Sequence, residues 1–158
     1  MRNTADDRFA TFFIAVYDSA TRTVRYTNAG NLPSFLLSKN RVDRMDKGGM
    51  VLGVYEESTY EENSLTVPQD ALLVGYSDGL VEPENVYGEE FGIRRLLAAA
   101  VRVQCSAPSS LAESLLTTAE DWAGGGFQGV DRTVFQDRSG QKRDSGEGRS
   151  APFLACAG

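Results

Sequence analysis

The stretch "RFATFFIAVY", residues 8–17, constrains the fold more than any other part of the chain. A strand presents alternate side chains to opposite faces, and here both alternating sets are apolar. Such a strand is expected to be a central one, covered on each side.

The residues that follow supply further strands. Asp18-Ser19-Ala20-Thr21 reads as a polar turn, and "RTVRYTNA" alternates Val24 and Tyr26 against Arg25 and Thr27, giving a hairpin. After Gly30-Asn31-Leu32-Pro33 come "SFLLS", a turn at Lys39-Asn40, and "RVDRM". Residues 59–67 alternate again, and Pro68-Gln69-Asp70 turns the chain into "ALLVGYS". To this point the pattern predicts a β-meander. From Glu89 the period changes: Ile93, Leu96, Leu97, Ala100 and Val101 form a helical stripe with Glu89 and Glu90 at its start. Ser110-Leu111-Ala112-Glu113 fits a capping box opening a second helix, and Gly124-Gly125-Gly126 ends it. "DRTVF", residues 131–135, adds one short strand. Strands followed by helices predict an α+β domain. From Gln136 to Gly158 the chain is rich in Gly, Ser and charge without period, which predicts a disordered tail. The domain is therefore expected at 1–135 and the tail at 136–158.

Composition narrows the chemistry. The formal net charge of −6 and pI near 4.7 argue against a nucleic-acid partner. No apolar run approaches the ~20 residues of a bilayer span. The opening "MRNTADDRF" lacks the apolar core of a signal peptide, so a cytoplasmic location is expected. The chain has no histidine, which removes histidine triads and histidine bases. Its two cysteines, Cys105 and Cys156, lack metal-ligand spacing. Hydrolytic chemistry would then rest on carboxylates, hydroxyls, amines or an oxygen-ligated metal.

Asp78-Gly79 is the leading candidate. The apolar run 71–76 ends there, so Asp78 sits at the end of a buried strand, and the glycine permits close approach of backbone or a hydrated ion. An ordinary Asp-Gly turn accounts for the same dipeptide. Glu82 and Glu84 are possible further ligands, whereas Glu89 and Glu90 read better as acids at a helix start. Asn28 reads as a turn residue bonding its own backbone. Ser77 has no base near it in sequence to make it a nucleophile. Phe12, Phe13, Phe35 and Trp122 read as core.

In order, "FATFFIAVYDSATRTVRYTNAGNLPSFLL", "MVLGV", "VPQDALLVGYSDGLVE", "YGEEFG" and "VDRTV" resemble segments of the metal-dependent PPM (PP2C-like) protein serine phosphatases, nearest the bacterial SpoIIE/RsbU branch. The resemblance implies an antiparallel β-sandwich with helices on its outer faces. It also implies two Mn²⁺ or Mg²⁺ ions, with Asp78 as a ligand and Gly79 beside it. Such a pair neutralises phosphoryl oxygens and polarises the attacking water, so neither histidine nor a covalent intermediate is needed. The implied substrate is phosphoserine or phosphothreonine on a regulatory protein such as an anti-sigma-factor antagonist.

The sequence also departs from the family pattern. The family's opening "GD…SG.G" segment has no counterpart here, so the fold is expected to be incomplete at its N-terminus. At the family's second acidic motif Val130 replaces the ligand aspartate. Asp131 substitutes only by a one-residue shift, which turns an extended side chain to the other face. Asn31 stands where the family usually has histidine, and Gln69 where it prefers glycine. These departures predict an impaired metal site, with a non-catalytic pseudophosphatase or partner-binding module as the alternative.

Overall fold

The computed structural model describes residues 9–39, 41–103, 108–124, 134–138 and 151–157. Strands β1 (Thr11–Asp18) and β2 (Thr23–Ala29) form the expected hairpin, with Phe13 opposite Asn28 and Asp18 opposite Thr23. Its turn is built by Asp18, whose Oδ1 accepts the Ala20 N–H (2.9 Å) while Oδ2 accepts the Thr21 hydroxyl (2.9 Å). The Thr21 hydroxyl first, then the Ala20 N–H, hold this carboxyl below its ordinary pKa.

Strands β3 (Ser34–Ser38) and β4 (Arg41–Met45) form a second hairpin, but in a different sheet. The short β5 (Gly48–Gly49) runs parallel to β2, and β6 (Asn63–Thr66) returns antiparallel to β2. Strand β7 (Leu72–Tyr76) pairs with β3, and β8 (Val134–Arg138) pairs with β7. The strands thus divide into one sheet ordered β4-β3-β7-β8 and another built on β5-β2-β1, with β6 also on β2. The meander expectation is corrected: β6 pairs back to β2 and β7 to β3. Alternation along a strand reports that a face is buried, and leaves open which strand lies alongside.

The sheets stack through Phe13, Ala15, Val24, Tyr26, Leu36, Met45 and Leu73. On the other face of the β7 sheet, Phe35, Leu37, Leu72, Val74 and Tyr76 pack under helices α2 (Gly92–Val103) and α3 (Pro108–Trp122) through Leu96, Ala100, Leu115 and Ala119. Adjacent residues of β7 therefore point into different cores, which explains why "ALLVGY" is apolar throughout. This is the α+β domain that the strand and helix pattern predicts, with the stacked antiparallel sheets that the resemblance implies and, among the described residues, α2 and α3 over the β7 sheet. Phe13 and Phe35 are core residues as expected, whereas Phe12 is half-buried.

Several boundaries move. Helix α3 begins at Pro108, so Ser110 lies inside it and is not its cap; proline is well suited to a first helical turn, where its missing N–H has no partner to lose. Helix α2 has no acid in its first turn, and Glu89 and Glu90 belong to the loop before it. The reading of 136–158 as a structureless tail is corrected in two places. Strand β8 extends to Arg138, and Ala151–Ala157 forms β9, antiparallel to the free edge of β1 with Phe13 opposite Ala155. An edge strand carries unpaired N–H and C=O groups, and any extended segment within reach can satisfy them regardless of its composition.

Candidate functional site

Strand β7 lies between β3 and β8 and delivers the chain into the one-turn helix α1 (Asp78–Val81). Ser77 has an extended backbone, and its C=O accepts the Leu80 N–H at 3.1 Å, so the helix starts directly from the strand end. Gly79, Leu80 and Val81 are buried, which fixes the mount, while Asp78 itself is exposed. Its Oδ1 accepts the Gly79 N–H at 2.7 Å. An aspartate at the first turn of a helix is held there by the orphan amides and by the helix dipole. Asp78 is thus an exposed carboxylate on a rigid base, with one oxygen engaged locally.

The residue just before this turn is unusual in another respect. The Tyr76 ring stacks on Phe35 (5.9 Å between centroids), and its hydroxyl is buried with no partner among the described residues. Burial raises its pKa to about 12, against a smaller opposing effect of Arg44. Tyr76 therefore remains a neutral phenol beneath the site.

The acidic loop after α1 folds into a tight hairpin. Glu84 bridges Glu90, the Phe91 N–H donates to Pro83 O (2.7 Å), and the Gly88 N–H donates to Asn85 O (3.0 Å). Asn85 is its organiser: Oδ1 accepts the Tyr87 and Glu89 N–H groups (2.9 and 3.0 Å), and Nδ2 donates to Glu89 Oε2 (3.0 Å). The Trp122 indole N–H donates to Glu89 O (2.9 Å), and Arg95 lies 3.8 Å from the Trp122 ring centre while donating to Glu90 O and Phe91 O. Trp122 is half-buried and acts as a brace, a role for which its position in sequence gave no signal.

Glu82, Glu84, Glu89 and Glu90 are all exposed. Among the described residues no group of three or more Asp, Glu, His or Cys side chains comes together as a metal-holding cluster. Asp131 and Val130 lie outside the described residues, as does Cys105. The described side chains alone therefore do not fit a pair of divalent cations, since each hard cation needs several oxygen ligands.

Asn28 is structural. It is 4% exposed; its Oδ1 accepts the Asn31 N–H (2.7 Å), and its Nδ2 donates to Asn31 O (3.0 Å) and Met45 O (3.5 Å). Asn28→Ala is expected to cost about 1–3 kcal/mol, because the buried groups that faced the amide lose a partner. A urea titration checks this, and a loss under 0.5 kcal/mol would contradict the role.

The stacked antiparallel sheets with helices packed on one of them have the PP2C-like phosphatase fold. The family model described as "Stage II sporulation protein E (SpoIIE)" matches residues 1–136, and the chain belongs to that family. It is 33% identical over 90 residues to Protein IcfG of Synechocystis sp., a match covering 56% of this chain and 14% of that protein. Its fold is similar to the SiaA-PP2C domain of Pseudomonas aeruginosa, with TM-score 0.65, 17% identity, and coverage of 75% of this chain and 47% of that one. It is also similar to the Mn-presoaked phosphatase domain of the cell fate determinant SpoIIE from Bacillus subtilis, with TM-score 0.59, 18% identity, and coverage of 85% and 59%. The chain thus spans 14% of the length of its IcfG relative and 59% or less of these two structures. No described helix is long and apolar enough to cross a membrane.

Proposed function

We propose that this chain contributes the Asp78 side of a metal-dependent protein serine/threonine phosphatase of SpoIIE/RsbU type. The substrate is phosphoserine or phosphothreonine on a regulatory protein of the anti-sigma-factor-antagonist kind, and the setting is cytoplasmic. The single observation behind this reading is the placement of Asp78: exposed, at the end of the interior strand β7, on a helix whose next three residues are buried. That placement, in a SpoIIE-family chain, supports Asp78 as one ligand to Mn²⁺ or Mg²⁺, with Gly79 at its side. Further ligands then have to come from outside the described residues, Asp131 among the candidates. Because the described residues do not complete the centre, no catalytic step is assigned to them.

Asp78 Oδ1 is already engaged by Gly79, as in an ordinary turn, and this favours a second reading, a non-catalytic partner-binding module. Thermal melting with and without Mn²⁺ separates the two. On the first reading Mn²⁺ at ~100 times its Kd stabilises the wild type by about 2.7 kcal/mol, and Asp78→Ala removes that response. A wild-type melt that ignores Mn²⁺ overturns the metal reading and leaves the second.

A further inference from the structure

The hairpin after α1 presents a feature that the fold does not explain. Val86 and Tyr87 occupy the two corner positions of the Asn85–Gly88 turn and are 84% and 86% exposed. The turn specifies its ends: Asn85 supplies the side-chain acceptor, and Gly88, at φ +75°, takes the left-handed position. Its corners tolerate almost any residue, and polar ones would cost nothing in water. Two apolar side chains there gain nothing from the core.

The tip is also held in place. Asn85, Trp122 and Arg95 brace the hairpin from inside and from α2 and α3, and buried Phe91 anchors its return strand. An apolar pair on a braced turn binds with little ordering cost, and tyrosine is among the residues that dominate binding hot spots. The charged side chains of the segment itself are all carboxylates: Glu82, Glu84, Glu89 and Glu90 are exposed, and residues 78–92 contain no Lys or Arg, the bracing Arg95 coming from α2.

We infer that the Val86–Tyr87 tip docks a folded protein partner through an apolar pocket rimmed by Lys and Arg side chains. This rests on the phosphatase reading for the partner's identity, the phosphorylated regulatory protein. The tip binds that protein away from its phosphorylated residue. It is rooted in the helix that carries Asp78, so the docked protein is held beside the site.

The test is isothermal titration of the whole chain in EDTA with purified phosphorylated anti-sigma-factor antagonists from the same organism. At least one should bind the wild type. Val86→Ser/Tyr87→Ser should weaken it roughly 30-fold or more without moving the melting midpoint. Tyr87→Ser alone should give a smaller loss in the same direction. Glu84→Gln/Glu90→Gln should flatten the salt dependence of the association rate. Equal binding by the double serine variant overturns the inference, as does absence of binding to any antagonist. Light scattering that shows tip-dependent self-association overturns it in favour of a second copy. A chain that ignores Mn²⁺ in melting yet binds through the tip would sink the metal reading and keep this one.

Discussion

Replacing Phe91 by alanine is expected to lower the unfolding free energy by about 3–5 kcal/mol. The side chain is 1% exposed and belongs to the same buried cluster as Leu80, Leu96 and Leu115, which come from α1, α2 and α3. Its backbone closes the hairpin on Pro83 and receives Arg95. Side chains of that cluster are mounted on three helices, so they should collapse only partly into the volume left. Against a typical domain stability of ~5–15 kcal/mol the loss is a large fraction of the whole. Urea unfolding of Phe91→Ala beside Tyr87→Ala gives the comparison. Tyr87 is exposed and should change stability by no more than about 0.5 kcal/mol. A Phe91→Ala loss below 1 kcal/mol would mean that the acidic hairpin is not tied to the helical core.

Gly48→Ala should cost about 3 kcal/mol or more, at the upper end for overpacking. A Cβ at this position would lie 1.9 Å from Asn28 O and 2.5 Å from Asn28 N, both backbone atoms of the strand paired with it. Nothing there can rotate away, so β5 would have to leave β2. The Asn28 N–H donates to Lys47 O (2.9 Å) and the Glu61 N–H to Gly48 O (3.1 Å), and both bonds would go with it. Gly30→Ala is a useful contrast. It has φ +72°, but its nearest obstacle is the Val51 side chain, so its cost should be smaller. If the two variants melt alike, the backbone contact at Gly48 is not what holds β5 in place.

The two glycines and Asn28 show where sequence reading stops. "TNAGN" was recognisable as a turn because Asn-x-Gly has its own local chemistry, and Asn28 does bond Asn31 three residues on. Its bond to Met45 O, and the need for glycine at position 48, arise from a strand some twenty residues away crossing the same spot. The acidic loop behaves likewise. Its four glutamates looked like ligands or helix-start acids, yet Asn85, Arg95 and Trp122 organise it into a braced hairpin.

By itself the sequence determined most of the strands and the two long helices, that β7 is buried, and that Asp78 stands just past a strand end. Those properties follow from side-chain periodicity and local turn chemistry, which act over a few residues. The Phe12, Ile14 and Val16 side of β1, apolar in sequence, is only half-buried. Only the tertiary structure decided that β6 returns to β2, that β7 joins β3, that β9 covers the edge of β1, and that the hairpin tip faces water. Periodicity records that a face is buried, and the partner that buries it is chosen by how all the layers pack together.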